Sequence, residues 1–269
     1  MAILWSMSLV TTPAVVLRTY RYSETSKIVR LATRDLGVQS AIAKGVSRPK
    51  SRFGAGLELL SEGEAQLYYR DNRELQTLAA FDVERLRREL AGDLDRFAAA
   101  MVLAEMMVRM APPAPLPAAY DAFTGALDDL VALPVEALHA GGIRSVWRLL
   151  AELGFEPSLR ACVRDGAAVG EDGEPVAFST AEGGVLCEAC VRSQPPATLT
   201  RLPQPAWRDL RAMLDPQAAL PRLDAPHAAA HRRLAARFVR HHLEETGPGE
   251  GFPALVFWER RTWPPSIAS

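Results

Sequence analysis

The stretch Lys27-Ile28-Val29-Arg30-Leu31-Ala32-Thr33, followed by Asp35-Leu36-Gly37 and Val38-Gln39-Ser40-Ala41-Ile42-Ala43-Lys44, decides the fold of the amino-terminal part of the chain. Two apolar runs on either side of a short Asp/Gly turn are typical of an antiparallel hairpin. Three further runs have strand character: Ala14 to Thr19, Leu57 to Tyr69 and Leu75 to Ala80. Five short strands with little helix between them predict a five-stranded barrel of the oligonucleotide-binding (OB) type.

The rest of the chain is predominantly helical in pattern. At Asp82 the apolar period changes from two to 3.6, which predicts a helix with Asp82 as its N-cap. This helix must end before the proline-rich connector Pro112 to Pro117. Further helices are predicted over four segments: 118–133, 135–153, a stretch after Pro203 that ends near 214, and 226–245.

The predicted fold class is therefore α+β and multidomain, with a helical domain that contains a zinc-ribbon-like insertion. We place the OB-fold domain at residues 1–81. The helical domain follows in two parts, 82–154 and 203–246, separated by the insertion at 155–202, and residues 247–269 form a carboxyl-terminal tail.

Composition favours a folded protein of a reducing compartment. Of the 269 residues, 48% are hydrophobic and 23% are charged, which is typical of globular domains. The apolar segment Met1 to Val10 lacks a basic n-region and is too short to span a membrane. Three cysteines do not form a secreted disulfide framework. We therefore expect a cytoplasmic protein.

Positive charge is concentrated near the amino terminus. Between Ala14 and Gly56 there are nine Lys/Arg against Glu24 and Asp35, a net charge of +7 in a chain whose overall charge is −1. A local cationic surface of this kind is the expected footprint of a protein that binds nucleic-acid phosphates without reading bases. The predicted DNA-binding residues are Arg18, Arg21, Lys27, Arg30, Arg34, Lys44, Arg48, Lys50 and Arg52.

Three aromatic residues flank these cations, namely Tyr20, Tyr22 and Phe53. Aromatic side chains near a basic surface can stack on the bases of a single strand. The same side chains can equally belong to the core of the barrel. The sequence leaves both interpretations open for each ring.

The cysteines indicate a metal site. Cys187-x-x-Cys190 follows a predicted hairpin that runs from Val176 to Leu186, and the upstream pair is Cys162-Val163-Arg164-Asp165. Four donors on two tight turns can surround Zn²⁺ tetrahedrally, so Cys162, Asp165, Cys187 and Cys190 form a candidate site for one structural zinc ion. Two alternatives stay open: a degenerate ribbon that has lost its metal, and redox or catalytic thiols. A zinc deaminase is excluded because Leu186 and not proline precedes Cys187, so the Pro-Cys-x-x-Cys motif is missing.

Other charged constellations have simpler interpretations. His227 and His231 are spaced at i, i+4, but without an intervening Glu they are interpreted as surface residues. Arg233, Arg237 and Arg240 either extend a phosphate-binding track or form the solvated face of an amphipathic helix. The carboxylate pairs Asp93/Asp95 and Asp128/Asp129 could serve a metal-dependent nuclease, although ordinary surface acids are the simpler interpretation.

Four segments together resemble the bacterial RecO recombination-repair family. They are Val16-Leu17-Arg18 through Glu24, Ala43-Lys44-Gly45-x-x-Arg48-x-x-x-Arg52-Phe53, Leu153-Gly154-x-x-Pro157-x-Leu159-x-x-Cys162, and Gly184-x-Leu186-Cys187-x-x-Cys190. The resemblance covers about two thirds of the chain. Asp165 departs from the family pattern, because many relatives have a cysteine there.

The resemblance implies a non-enzymatic DNA repair and recombination mediator. Such a protein would bind single- and double-stranded DNA, anneal complementary strands and load recombinase with the partner RecR onto strands coated by single-stranded DNA-binding protein. Two rivals remain: a protein-interaction adaptor whose basic loop only increases solubility, and a metal-dependent nuclease.

Overall fold

The computed structural model describes residues 8–46, 51, 53, 57–170, 173–195, 199–244 and 252–260. The chain divides into two compact units. The first comprises Met1–Gly92 and Ala104–Val131, and the second comprises Asp93–Leu103 and Ala132–Ser269. In the described part of the chain, no helix combines the length and the apolar character that a membrane crossing requires.

Five strands close into a barrel in the first unit, which confirms the predicted fold class. The spatial order is β1-β2-β3-β5-β4. Neighbouring strands are antiparallel except β3 and β5, which are parallel. The strands are β1 (Ser8–Arg21), β2 (Lys27–Thr33), β3 (Gly37–Ala43), β4 (Glu62–Tyr69) and β5 (Leu75–Arg85).

Alternation along the strands fills the barrel interior with small and branched apolar side chains. The buried cluster contains Val16 from β1, Val29 and Leu31 from β2, and Leu67 from β4. Phe53 also belongs to this cluster, with only 3% of its surface exposed, so it is a core residue. In β4 the buried positions alternate with more exposed ones, so one face of this strand lines the barrel interior.

The turn between β2 and β3 depends on a glycine. Gly37 has φ of +70°, and a Cβ atom at this position would lie 2.2 Å from the carbonyl oxygen of Ala114. Only a residue without a side chain therefore fits this turn. The adjacent Val38 amide donates a hydrogen bond to the Pro112 carbonyl at 3.1 Å, which joins the proline-rich connector to the barrel.

The helix predicted to begin at Asp82 begins later. β5 continues to Arg85, because β4 supplies partners for these residues, with Glu64 opposite Asp82 and Gly63 opposite Val83. The helix α1 (Leu94–Met110) starts after Asp93, whose Oδ1 accepts the amide hydrogens of Asp95 at 2.9 Å and Arg96 at 3.0 Å. Asp93 is thus the N-cap that the sequence pattern assigned to Asp82.

The second helix of the first unit is held to the barrel by the ion pairs of one buried arginine. Helix α2 (Pro117–Ala132) carries Asp128, which accepts a hydrogen bond from the Nε of Arg87 at 2.7 Å. The same guanidinium is paired with Glu62 of β4, and its side chain is only 2% exposed. Arg87 therefore links the strand to the helix.

The second unit is helical and contains a small sheet. The predicted hairpin is confirmed, with β6 (Val176–Ser179) antiparallel to β7 (Gly184–Leu186) and β8 (Thr200–Leu202) on the other side of β6. The helices are α3 (Leu138–Glu152), α4 (Glu188–Ser193), α5 (Gln204–Leu214), α6 (Ala225–Glu244) and α7 (Pro253–Arg260). Trp147 of α3 packs edge-on against Phe238 of α6, with ring centroids 5.1 Å apart.

The tail assigned to residues 247–269 contains a packed helix. Helix α7 buries Leu255, Phe257 and Trp258, and its Glu259 is paired with Arg240 of α6. The indole nitrogen of Trp258 lies 3.9 Å from the position that a Cβ on Gly142 would occupy. The absence of a side chain at Gly142 therefore leaves room for the ring.

Candidate nucleic-acid interface and metal centre

Three predicted cations meet at one end of the barrel. Arg21 at the end of β1 is paired in register with Lys27 at the start of β2, and Lys27 is paired with Ala43 at the end of β3. Lys44 follows directly. Arg21 and Lys44 are exposed, and Lys27 is half-buried. Cations that are distant in sequence thus become neighbours across adjacent strands, which are about 4.8 Å apart.

A bulge in β1 places Arg18 on the outer face. The register shifts between Val16 and Arg18, so Arg18 stands opposite Arg30 of β2. The guanidinium carbon of Arg18 lies 4.9 Å from the centroid of the Tyr20 ring, a cation–π contact. Across the described residues, four of the predicted cations form no ion pair: Arg18, Arg21, Lys27 and Lys44.

Arg30 and Arg34 have partners within the protein. Arg30 donates to the Oγ of Ser40 at 2.8 Å and to the Val108 carbonyl at 3.3 Å, and burial lowers its pKa. Arg34 donates two hydrogen bonds, both of 2.9 Å, to the carboxylate of Asp121. This pairing lowers the pKa of Asp121 and keeps it anionic. A phosphate must therefore compete with protein groups at both arginines.

Arg48, Lys50 and Arg52 lie outside the described residues. On the amino side of this segment, Lys44 is exposed at the end of β3. On its carboxyl side, Phe53 is buried in the barrel. Tyr20 and Tyr22 are 41% and 58% exposed, so both differ from Phe53 in being accessible.

The metal-binding residues come from two turns of the second unit. In the first, the Gly166 amide donates to the Cys162 carbonyl at 2.9 Å, and Gly166 has φ of +75°, which suits glycine. In the second, the Sγ of Cys187 caps α4 by accepting the Cys190 amide at 3.4 Å. Each turn therefore supplies two candidate ligands that are three positions apart in the chain.

The two turns bring all four predicted ligands together. One ligand atom from each of Cys162, Asp165, Cys187 and Cys190 lies within 4.8 Å of the others. The Oδ2 of Asp165 is 3.3 Å from the Sγ of Cys187 and 3.1 Å from that of Cys190. Ligands of a tetrahedral zinc ion are separated by roughly 3.5 Å, given metal–ligand distances of about 2.0–2.3 Å. The donor set and its spacing fit a bound Zn²⁺.

The ionisation of the four candidate ligands also favours binding of a cation. The pKa of Cys162 is lowered: burial acts to raise it, but backbone amides of Cys187, Arg164 and Asp165 outweigh burial by stabilising the thiolate. The carboxylate of Asp165, which accepts hydrogen bonds from the Ala167 amide and from the thiols, has a lowered pKa. This carboxylate raises the pKa of Cys190 to about 12. A bound metal would replace the thiol protons and relieve the repulsion between anions.

Arg164 holds the two turns in place. Its guanidinium donates two hydrogen bonds of 2.6 Å to Glu182 in the turn between β6 and β7. The same group donates to the carbonyls of Cys190 at 2.9 Å and Gln194 at 2.7 Å. Sequence reasoning missed this residue, because nothing in the pattern distinguishes it from a surface arginine.

The helix α6 does not provide a histidine metal site. His231 is buried, with 3% of its surface exposed, so its interpretation as a surface residue was wrong. His227 is exposed and contacts Asp224, with 2.6 Å between Nδ1 and Oδ1. Arg233 and Arg237 are exposed, but Arg240 is paired with Glu259.

The carboxylate pairs considered for a nuclease have other roles in the structure. Asp93 caps α1, and Asp128 is paired with both Arg85 and Arg87. In the regions that the structure describes, the cysteine site is the only group of three or more His, Cys, Asp or Glu residues arranged to hold a metal ion.

Comparison with known proteins gives consistent matches along the chain. The family model described as "Recombination protein O N terminal" matches residues 7–87, and the one described as "Recombination protein O C terminal" matches residues 91–249. The chain is 34% identical over 241 residues to "DNA repair protein RecO" of Anaeromyxobacter dehalogenans (strain 2CP-C), which covers 85% of this chain and 89% of that protein.

Two further relatives carry the same description. "DNA repair protein RecO" of Rubrobacter xylanophilus is 34% identical over 245 residues, covering 90% of this chain and 94% of the relative. That of Symbiobacterium thermophilum is 30% identical over 251 residues, covering 88% and 94%. The alignments therefore extend over both compact units.

Proposed function

Because the chain belongs to the RecO family of DNA repair proteins, we propose that it is a non-enzymatic mediator that binds single- and double-stranded DNA through the cationic end of its barrel. Contacts to phosphates carry no sequence information, so binding is independent of base sequence. The proposed contacts are made first by Arg18, Arg21, Lys27 and Lys44, together with Arg48, Lys50 and Arg52. Arg30 and Arg34 take a secondary part, because both already have protein partners.

The observation that carries this proposal is the register of three neighbouring strands. It aligns Arg21 with Lys27 and brings Lys44 to the same end of the barrel. The protein as a whole has a formal charge of −1, so this concentration of positive charge is local. A local cationic surface attracts polyanions by releasing the counterions condensed on them.

Annealing follows from the same electrostatics. Two complementary strands held near one cationic surface repel each other less, because the protein screens their phosphates. Pairing is then accelerated by proximity, and no covalent step is needed. We extend the proposal to the recombinase-loading role that the family resemblance implies, with RecR and single-stranded DNA-binding protein as partners in the cytoplasm.

The cysteine site is proposed to hold one structural Zn²⁺. Cys162, Asp165, Cys187 and Cys190 would supply the ligands, and the ion would tie the two turns together. Zinc bound in this way contributes directly to folding free energy. We propose that it stabilises the segment 155–202 as an insertion between the two parts of the helical domain.

A titration with labelled oligonucleotides tests the DNA-binding surface. The variant Lys27→Glu with Lys44→Glu should weaken binding and slow annealing of complementary strands, measured by fluorescence energy transfer. Each lost phosphate contact should reduce the log–log salt slope by about 0.7 on single strands. The control is Arg148→Glu with Arg208→Glu, which makes the same charge change at exposed positions of the second unit.

Equal loss of affinity in both double variants would show that only net charge matters and would overturn the proposed surface. Intact far-ultraviolet circular dichroism is required of each variant. The same titration tests the adaptor alternative, because an adaptor whose basic loop only increases solubility should bind oligonucleotides no more tightly than its charge-reversed variant does. Incubation of labelled DNA with Mg²⁺ or Mn²⁺ tests the nuclease alternative.

A further inference from the structure

Two exposed tyrosines lie beside the cationic end of the barrel. Tyr20 and Tyr22 are separated by Arg21, and their exposed fractions are 41% and 58%. Tyr and other aromatic residues gain most from burying their rings. The Tyr20 ring is left accessible on the face of β1 that it shares with Arg18, and Arg21 and Lys27, which are paired across β1 and β2, lie at the same end of the barrel.

Neighbouring contacts hold the two tyrosines in place. Tyr20 is paired with Ile28 in the ladder between β1 and β2. The guanidinium of Arg18 is 4.9 Å from its ring centroid and restrains the ring. The amide of Tyr22 donates to the Ser26 carbonyl at 3.0 Å, which fixes the backbone where the chain turns towards β2. Both rings are therefore attached to ordered backbone.

We infer that Tyr20 and Tyr22 stack on unpaired bases and give this surface a preference for single-stranded over double-stranded nucleic acid. This inference rests on the proposed DNA-binding function and adds a source of strand preference to it. A phosphate-binding surface alone serves both forms, because both present the same backbone charge. Base stacking is available only to a strand whose bases are unpaired and accessible.

The test compares three positions. Tyr20→Ala with Tyr22→Ala should weaken binding of a labelled single-stranded oligonucleotide by about tenfold or more, the effect of losing base stacking. Affinity for the corresponding duplex should change less than about twofold, and the salt slope on single strands should stay as in the wild type, because no phosphate contact is lost. Tyr68→Ala is the matched control, since Tyr68 is also 41% exposed but lies on β4.

Tyr20→Phe with Tyr22→Phe keeps the rings and should restore single-strand binding. Tyr20→Leu with Tyr22→Leu keeps apolar bulk without a ring and should not. An equal loss on single strands and duplex, or no loss on either, would overturn the stacking role. That result would leave the proposed function intact if Lys27→Glu with Lys44→Glu still weakened binding. If the charge variant bound normally as well, the proposed DNA-binding surface itself would fail.

Discussion

The Oδ2 atom of Asp165 lies 3.1 Å from the Sγ atom of Cys190. Although Asp165 is an exposed residue, its carboxylate is directed at the sulfur atoms, and it occupies the position of the fourth ligand. The other carboxylate oxygen accepts the Ala167 amide at 3.0 Å, which fixes its orientation. This relationship explains how a site with three cysteines can still present four donors.

We expect Asp165→Ala to lower zinc affinity by about tenfold or more, because the ligand set loses one donor. Asp165→Cys should raise the affinity, since thiolate is the softer and preferred ligand in structural sites. Competition with a chromogenic chelator measures the zinc affinity of both variants. The visible spectrum of the Co²⁺-substituted protein should differ between wild type and Asp165→Cys because the number of thiolate ligands changes. Identical affinity and spectra in all three proteins would show that Asp165 is not a ligand.

Asp121 is expected to restrain DNA binding through Arg34. The two residues form two hydrogen bonds of 2.9 Å, which neutralise one predicted cation. Asp121→Asn should free Arg34, raise DNA affinity and steepen the salt slope by up to about 0.7 on single strands. Arg34→Gln should have little effect on affinity. Stability should change by less than about 1 kcal/mol in either variant, because the pair is exposed. A large loss of DNA binding in Arg34→Gln would contradict the expectation that Asp121 keeps Arg34 from contacting DNA.

Removing Arg87 should strongly destabilise the first unit. Its guanidinium is buried between Glu62 and Asp128, so Arg87→Met leaves two carboxylates without their shared partner. The expected cost is about 1–3 kcal/mol in the free energy of unfolding, measured by urea denaturation, because both carboxylates stay partly exposed to water. The exposed neighbour Arg88 is the control, and Arg88→Met should cost less than about 0.5 kcal/mol. Similar effects of both substitutions would show that the buried network contributes little.

Helix α7 is expected to be part of the second unit and not a dispensable tail. Trp258 is 4% exposed, and Trp258→Ala should lower the free energy of unfolding by about 3–5 kcal/mol. Arg260→Ala, an exposed substitution at the end of the same helix, should have no measurable effect. Urea denaturation followed by circular dichroism distinguishes the two. Wild-type stability in Trp258→Ala would mean that α7 is only loosely attached.

The buried His231 should make stability depend on pH. Burial lowers the pKa of this imidazole, with a smaller opposing effect from Asp209. The unfolded chain takes up the proton near the ordinary pKa of about 6.5, whereas the folded chain resists it until a lower pH. The unfolded state therefore binds more protons in this window, and stability that is full above pH 6.5 falls as the pH decreases.

His231→Gln should reduce this acid sensitivity, measured as the difference between unfolding free energies at pH 7.5 and 5.5. Part of the dependence should persist, because burial also lowers the pKa of His139. An unchanged difference in His231→Gln would exclude His231 as its source.

Local sequence patterns were sufficient to predict secondary structure where neighbours in sequence are also neighbours in space. The hairpin of β2 and β3 and the hairpin that precedes Cys187 were both predicted, because turn residues and alternation are local signals. The start of α1 was not predicted correctly. Asp82 has the chemistry of an N-cap, but pairing with Glu64 keeps it in a strand, and Asp93 caps the helix. Helix α7 was missed because its apolar residues are stabilised by packing against other helices.

The sequence alone determined the barrel's strands, the concentration of positive charge and the spacing of Cys162, Asp165, Cys187 and Cys190, because each is a property of a short segment. Only the tertiary structure decided which of those groups remain available. It paired Arg34 with Asp121, buried Phe53 and left Tyr20 accessible. The physical reason is that burial and ion pairing depend on residues far away in the chain, and no local pattern specifies them.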